Sequence, residues 1–269
     1  MIIKTHLVSG AGNTFHILNC NDPLYALQNW VLAKQKEIAK TICDQKKADG
    51  FIFLESNFSI QNESKSKKEY KWTFFNNDGS DAEMCGNATR CVGFYIKNIL
   101  NSESNDWSLL TIAGPIKIQF VSHERYQITM TPVQLFKSNL GFYCDTGVPH
   151  LVIEGDDFQG KENLMLKAKQ LRAHIDFKPR GTNVTYVVFD KELTKLKAIS
   201  YERGVENFTA ACGTGAVAAA FFNLTKRGVK QTQVEMPGGT LIIDLTDLNK
   251  PTMTGPAILL GSYSYEVII

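Results

Sequence analysis

The stretch AEMCGNATRC at residues 82–91 has a close counterpart in TAACGTGAVA at residues 209–218. In each stretch a short segment containing alanine leads to a cysteine, Cys85 or Cys212, and then to a glycine, a polar residue and an apolar helical pattern. A helix start presents backbone N–H groups and the positive end of the helix dipole, so a thiol there is expected to have a lowered pKa. The repetition predicts two related halves, each built around one such helix.

Other segments repeat in the same order. The run GTNVTYVV at residues 181–188 is similar to GNTF at residues 12–15, and GTLII at residues 239–243 is similar to GPIKI at residues 114–118. The interval from Cys85 to Gly114 is also similar to that from Cys212 to Gly239. We therefore expect each half to be a strand-rich layer wrapped on one central helix, which makes an α/β (α+β) fold. The expected halves are residues 1–130, completed by residues 257–269, and residues 131–256.

Local patterns place further elements. Apolar runs at residues 2–8, 51–54 and 70–75 predict strands, residues 111–118 and 126–130 alternate like strands, and helical spacing over residues 24–43 predicts a helix. The polar residues 55–69 are interpreted as an exposed hairpin loop. The helix that follows Cys212 reaches Arg227 with almost no polar face, so it is expected to be buried nearly all round.

The composition excludes several classes of protein. The chain has 269 residues, of which 43% are apolar and 21% charged, and its net charge is +2. This is an ordinary globular composition without the basic patch that nucleic acid requires, and no segment has the pattern of a signal peptide or a membrane span. We therefore expect a cytoplasmic protein that binds neither nucleic acid nor membrane. Its 6 cysteines are expected to be thiols, and the absence of a C-x-x-C pair argues against structural zinc.

Two thiols at helix starts suggest an acid/base pair. One thiolate can remove a proton from one side of a carbon while the other thiol returns a proton on the opposite side, which is the chemistry of a cofactor-independent racemase or epimerase. Near them, the Glu202-Arg203 dipeptide can hold the ammonium and carboxylate of an amino acid. His150 can relay protons or change the pKa of the thiols.

The motifs closely resemble those of the diaminopimelate epimerase family, in the family's order and over essentially the whole chain. They lie at residues 9–15, 76–91, 149–150, 180–184, 201–204, 211–215 and 237–239. The resemblance implies two pseudo-symmetric domains, each a barrel-like, mainly antiparallel sheet around a central helix, with the site in the cleft. It also implies conversion of LL- to meso-diaminopimelate, a small amino-acid substrate, in lysine and peptidoglycan precursor synthesis, without pyridoxal phosphate or metal, and commonly a homodimer.

The resemblance also assigns roles to residues. Cys85 and Cys212 resemble the acid/base pair, with His150 beside the thiols. The backbone cradle for the reacting carboxylate corresponds to Gly86, Asn87, Gly213 and Thr214, and the holders of the reacting amine to Asn13 and Glu202. The group that reads the distal end of the substrate corresponds to Asn76, Asn183 and Arg203.

The chain departs from the family pattern at four positions. Val148 stands where an asparagine is common, Gly50 where a polar residue can reach the substrate, Phe208 where a glutamate is usual and Ala88 where a glycine is usual. Val148 and Gly50 concern the choice of substrate rather than the thiol pair. Two alternatives therefore stay open: an amino-acid racemase of the proline or histidine type on the same fold, and a fold-sharing protein without epimerase activity, which would be expected to lack one of the cysteines.

Overall fold

The computed structural model describes residues 2–23, 33–57 and 69–267. The chain divides into two compact units: unit 1 comprises Met1–Ile128 with Pro256–Ile269, and unit 2 comprises Thr129–Gly255. Within the described residues, no helix combines the length and the apolar character that a membrane span requires.

Unit 1 contains eight strands and two α-helices among its described residues. The strands are β1 (Ile2–Gly10), β2 (Asn13–Asn19), β3 (Gly50–Asn57), β4 (Glu69–Asn76), β5 (Asp106–Thr111), β6 (Gly114–Ser122), β7 (Arg125–Thr129) and β17 (Ile258–Glu266). The helices are α1 (Gln35–Lys46) and α2 (Gly86–Phe94), and a π-helical turn (Tyr95–Ile99) continues α2.

These strands are hydrogen-bonded in the order β17-β1-β2-β3-β4-β5-β6-β7. The β2–β3 and β4–β5 pairs are parallel and the others are antiparallel. A parallel pair needs a long crossover connection, and α1 and α2 lie in these two crossovers. Helix α1 packs on β3 and β4, whereas α2 contacts β1, β2 and β6, so the sheet curls around α2.

Unit 2 repeats this plan. Its strands are β8 (Gln134–Phe136), β9 (Phe142–Asp145), β10 (Pro149–Glu154), β11 (Asn183–Phe189), β12 (Lys195–Glu202), β13 (Asn207–Phe208), β14 (Gln231–Met236), β15 (Gly239–Asp244) and β16 (Thr252–Pro256). Its helices are α3 (Lys161–Arg172) and α4 (Gly213–Arg227), with a 3₁₀ turn (Ile175–Phe177). The pairing order β8-β9-β10-β11-β12-β14-β15-β16 has the same succession of parallel and antiparallel pairs as unit 1. The prediction of two related, mainly antiparallel halves is confirmed.

Each unit is centred on the helix that follows its cysteine. Every residue of α2 is buried, and α4 is buried from Gly215 to Asn223. Small side chains allow this close packing, because a Cβ atom added at Gly93 would lie 2.7 Å from Ile118 and 2.9 Å from Tyr126. Helix α4 ends at Arg227 as expected, and Gly228 follows it in the left-handed conformation with its N–H donated to the carbonyl of Leu224.

Some local predictions need correction. Residues 111–118 are not one strand, because β5 ends at Thr111 and β6 begins at Gly114 after a turn. Helix α1 begins at Gln35, and the predicted helical residues 24–32 lie outside the described residues, as do residues 58–68 of the predicted hairpin loop. Helix α3 was not predicted.

Candidate active site

Cys85 is the residue that precedes α2 and caps its start. Its backbone is extended (φ −143°, ψ 123°), and its carbonyl accepts bonds from the N–H and hydroxyl of Thr89, each at 2.9 Å. The side chain is half-buried. The small residue that follows, Gly86, lets the chain turn directly from the extended cap into the buried helix.

Asparagine side chains surround the start of α2. The Asn87 amide nitrogen donates to Asn13 Oδ1 at 2.6 Å, and the Arg90 guanidinium donates to Asn87 Oδ1 at 2.8 Å. Asn87 and Arg90 are buried, and Asn13 is half-buried as the first residue of β2. The end of β1 lies directly on the helix, since a Cβ atom added at Gly10 would lie 2.7 Å from the Asn87 carbonyl oxygen. Three sequence-predicted residues, Asn13, Cys85 and Asn87, are thus neighbours in unit 1.

Asn76 and Gly50 are paired opposite each other on β4 and β3. Asn76 is exposed, and its amide nitrogen donates to Ser80 Oγ at 3.0 Å. A Cβ atom added at Gly50 would lie 2.7 Å from the Phe75 carbonyl oxygen and 2.8 Å from the Phe74 ring. Gly50 therefore has a packing role in this chain, and no side chain fits there without displacing Phe74.

Cys212 is the cap of α4 and is the more deeply buried of the two thiols, with 4% of its side chain exposed. Its Sγ accepts a bond from the Gly215 N–H at 3.3 Å and lies 3.4 Å from Thr214 Oγ1. A further hydrogen bond joins the thiol to the Glu202 carboxylate. The end of β12 and the start of α4 therefore bring Glu202, Cys212 and Thr214 together in unit 2.

The lowered pKa expected for a thiol at a helix start is wrong for Cys212. Burial and, next, the charge of Glu202 raise its pKa, and the bond from the Gly215 N–H only partly opposes this. Desolvation of the thiolate outweighs the helix terminus because the thiol lies inside the unit rather than at its surface. The surroundings of Cys212 therefore favour the protonated thiol over the thiolate.

Glu202 ends strand β12, and Thr209 donates its hydroxyl to the Glu202 carboxylate. Burial raises the pKa of Glu202, while the bonds from Thr209 and Cys212 oppose the shift. The carboxylate thus has two donors that favour its charged form in an otherwise unfavourable environment.

His150 is fully buried and linked through both ring nitrogens. Its Nδ1 lies 2.9 Å from Thr185 Oγ1, and its Nε2 lies 3.0 Å from Thr214 Oγ1 and 3.3 Å from Asn183 Nδ2. Burial lowers the pKa of His150 to about 3, so the ring is neutral.

The donor of each bond in this network can be assigned from one backbone group. The Arg203 N–H can only donate, so Asn183 Oδ1, at 2.8 Å, accepts, and Asn183 Nδ2 therefore faces His150. His150 Nε2 must then accept, which places the ring proton on Nδ1 and makes the Thr214 hydroxyl a donor to Nε2. With its one proton used in this way, Thr214 faces Cys212 as an acceptor. The single S–H proton of Cys212 then has two acceptors within reach, Thr214 Oγ1 and the Glu202 carboxylate.

Arg203, Val148 and Phe208 are the remaining predicted residues of unit 2. One Arg203 guanidinium nitrogen donates to the Arg180 carbonyl at 2.9 Å, which leaves other N–H groups of Arg203 for a ligand. Val148 lies in the β9–β10 turn, where its carbonyl accepts from the Thr146 N–H at 3.2 Å. Phe208 packs its ring against Tyr186 and Tyr201, so an apolar cluster takes the place of the usual glutamate.

Sequence reasoning missed four residues that organise the site: Arg90, Thr185, Ser200 and Thr209. Thr185 and Ser200 are paired across β11 and β12 and bonded at 2.9 Å. The available signal was alternation, because Asn183 and Thr185 are polar residues at alternate positions of an otherwise apolar strand. In the described part of the chain, no group of His, Cys, Asp and Glu is arranged to hold a metal ion.

Comparison with known sequences identifies relatives over nearly the full chain. The family model named diaminopimelate epimerase matches residues 7–136 and 142–260. A diaminopimelate epimerase from Aquifex aeolicus is 33% identical over 285 residues, covering 97% of this chain and 98% of the relative. A protein of the same name from Hydrogenobaculum is 32% identical over 281 residues, covering 96% of this chain and 97% of the relative.

Solved structures share the fold. A phenazine biosynthesis protein of the PhzF family from Bacillus anthracis has a TM-score of 0.75 at 11% identity and covers 99% of this chain and 100% of its own. A probable proline racemase from Agrobacterium radiobacter has a TM-score of 0.67 at 14% identity and covers 99% of this chain and 93% of its own. These likenesses concern the fold alone. The matches to the family model and to relatives of the same name show that this chain belongs to the diaminopimelate epimerase family of isomerases.

Proposed function

We propose that the chain interconverts LL- and meso-diaminopimelate, with Cys85 and Cys212 as its acid and base and without a cofactor. The observation that carries the proposal is that two units of the same topology each place one cysteine at the cap of the buried central helix. Membership of the family supports the choice of substrate.

Inversion of an α-carbon needs two groups with opposite tasks. A thiolate removes the α-proton from one face, and a thiol gives a proton to the opposite face, so the two thiols exchange protonation states in each turnover. The negative charge that develops spreads into the α-carboxylate. We assign its stabilisation to backbone N–H groups in the first turns of α2 and α4, at Gly86, Asn87, Gly213 and Thr214.

We assign different resting protonation states to the two thiols. For Cys212 we assign the protonated thiol, because burial and the charge of Glu202 raise its pKa. Cys85 lies beside α2, where the charge of the buried Arg90 interacts with it. We therefore assign Cys85 as the thiolate base and Cys212 as the acid in the first half of the reaction.

The other residues bind and orient the substrate. Glu202 suits the reacting ammonium, because its carboxylate lies next to the Cys212 thiol. Asn13 is a further substrate-binding residue, and Asn76, Asn183 and Arg203 are assigned to the distal end. His150 acts through Thr214, whose hydroxyl it holds in a fixed orientation. Val148 has no side-chain donor, so the distal end must use backbone groups or water there.

Proton exchange in D₂O tests the reaction. ¹H NMR of the wild type with LL-diaminopimelate, L-proline and L-histidine should show fastest loss of the α-proton signal for LL-diaminopimelate, together with formation of the meso isomer. Cys85→Ala and Cys212→Ala should each lower turnover by about 10²- to 10⁴-fold. Cys20→Ala, which removes a half-buried thiol of unit 1 outside the helix caps, serves as the control and should retain activity.

Two outcomes would contradict the proposal. Near-normal turnover in either helix-cap variant would exclude the two-thiol mechanism. Faster exchange of proline or histidine than of LL-diaminopimelate would leave the mechanism intact but replace the substrate, in favour of a racemase of the same fold.

We further propose a cytoplasmic homodimer. Reactive thiols stay reduced in the cytoplasm. Strand β17 exposes Ile258, Leu259 and Leu260 by 37%, 41% and 47%, which is an apolar surface suited to a second copy. Light scattering coupled to size-exclusion chromatography should give twice the chain mass, and Leu260→Lys should reduce it to one chain mass. A monomeric wild type would exclude the dimer.

A further inference from the structure

Arg90 is an unusual residue for the interior of a protein. It lies in α2, five residues after Cys85, with no exposed surface. Its guanidinium donates to Asn87 Oδ1 at 2.8 Å and to the carbonyl oxygens of Gly86 and Pro256 at 3.4 Å. A buried charge costs free energy unless hydrogen bonds replace its lost hydration, so the groups that accept bonds from Arg90 are strongly constrained.

The guanidinium determines which way two asparagine amides face. Arginine has no acceptor, so the Asn87 atom that faces it must be the oxygen. The Asn87 NH₂ group then faces Asn13, and the Asn13 atom at 2.6 Å must be the acceptor oxygen. Asn13 is therefore left with its NH₂ group as the donor for any other partner.

We propose that Arg90 is a positioning residue that, through Asn87, presents Asn13 to the substrate as a hydrogen-bond donor for a carboxylate oxygen. The inference builds on the proposed function, since it takes Asn13 to be a substrate-binding residue. The family resemblance implies instead that Asn13 holds the reacting amine. A donor cannot do so, because an ammonium group needs a hydrogen-bond acceptor.

The surroundings also favour an anionic partner. Asn13 lies at the start of α2, where the helix dipole and the first-turn N–H groups attract negative charge. The Arg90 cation lies behind the same turn. Asn13 thus adds a side-chain donor to a region whose other groups favour an anion, whereas Glu202 supplies the carboxylate that an ammonium requires.

Two substitutions of Asn13 separate donor from acceptor. Asn13→Asp keeps an oxygen for Asn87 but replaces the outward donor with a charged acceptor, and Asn13→Ala removes both. The amino acid that the wild type exchanges fastest in D₂O serves as substrate. A donor role predicts that KM rises by about tenfold or more in Asn13→Asp and rises less in Asn13→Ala. An acceptor role predicts the reverse order, and that order would overturn the proposal.

The part played by Arg90 is tested in a double-mutant cycle. Arg90→Lys keeps the charge but not the planar set of donors that orients Asn87. If Arg90 acts through Asn13, the increase in KM caused by Asn13→Asp should be several-fold smaller in the Arg90→Lys background than in the wild type. Equal increases would show that Arg90 only supports the fold and would refute its positioning role.

Controls keep the outcomes distinct. Asn249→Asp, in an exposed turn of unit 2, should leave KM unchanged, and thermal unfolding should show that each variant is folded. A wild type that exchanges no amino acid would refute the proposed function. A wild type that turns over substrate, with Asn13→Asp binding it as well as before, would refute only the role of Asn13.

Discussion

Removal of the Thr209 hydroxyl should move the acidic limb of the pH profile. Thr209 donates to the Glu202 carboxylate, and its backbone N–H is bonded separately to the Ser200 carbonyl at 3.2 Å. Thr209→Val therefore removes a donor from Glu202 while the backbone contact and the side-chain volume are retained. The change isolates one bond.

The size of the effect follows from the charge of the acceptor. A hydrogen bond to a charged group contributes about 1.5 to 3 kcal/mol, and one pKa unit corresponds to about 1.4 kcal/mol. Burial already raises the pKa of Glu202 and the Thr209 bond lowers it, so the loss of that bond raises the pKa further, by the free energy of one such bond. If Glu202 must be ionised to hold the substrate ammonium, the acidic limb of kcat/KM moves to higher pH by the same amount.

The assay is α-proton exchange of LL-diaminopimelate in buffered D₂O, with kcat/KM measured across the acidic limb and onto the plateau. Thr209→Ser should retain the wild-type limb because it keeps the hydroxyl. Thr194→Val is a matched control, since the Thr194 hydroxyl bonds the exposed Glu192 carboxylate at 3.0 Å away from the site. An unchanged limb in Thr209→Val, with full activity on the plateau, would refute the role of Glu202 as an ionised ammonium holder.

Three further predictions concern the thiols, the network and stability. Iodoacetamide at neutral pH should modify the half-buried Cys85 faster than Cys212, whose pKa is raised by burial and by Glu202. Peptide mass spectrometry after a short exposure checks the order of labelling. Faster labelling of Cys212 would contradict the assigned resting states. Gly215→Ala should lower the free energy of unfolding by about 1 to 3 kcal/mol and reduce turnover, because the new Cβ would collide with Ser200 Oγ and lie 3.2 Å from Cys212 Cβ. Adding Ser200→Ala to this variant should restore part of the stability in thermal melts. Burial and, next, the charge of Lys46 lower the pKa of His16 to about 4. Below about pH 6.5 the unfolded chain therefore binds more protons than the folded chain. The free energy of unfolding should fall by up to about 1.4 kcal/mol per pH unit between pH 6.5 and 4. Urea titrations followed by tryptophan fluorescence should show this slope in the wild type and in His123→Gln but a smaller slope in His16→Gln.

The elements that sequence reasoning found are those whose side chains leave few alternatives. Helix α4 is apolar on almost every face, so its burial at the centre of unit 2 could be predicted from composition alone. Helix α3 was missed because it is mostly polar. Of its residues only Ala168 is fully buried, while Leu164, Met165 and Leu171 pack partly against β11 and β12. A surface helix with so narrow an apolar face gives a weak periodic signal.

The positions of the two thiols could be predicted, but the environment of Cys212 could not. The sequence shows that Cys212 starts a helix, and a helix start alone favours the thiolate. The depth of burial and the contact with Glu202 come from the folding of β12 beside α4, which no local pattern records. The same holds for the Thr185–Ser200 pair, which exists only because the register of β11 and β12 aligns the two residues.

The pairing of β17 with β1 has a consequence for how the chain matures on the ribosome. Strand β1 is aligned with β17 from Ile2 opposite Glu266 to Ser9 opposite Ile258, so one of its edges stays open until translation has passed the whole of unit 2. Unit 2 occupies the uninterrupted stretch Thr129–Gly255 and can complete its fold first. During that interval the nascent β1 presents unpaired backbone groups that can pair with another chain. Stalled or truncated translation products that lack β17 should therefore be the species most prone to aggregate and most dependent on chaperones.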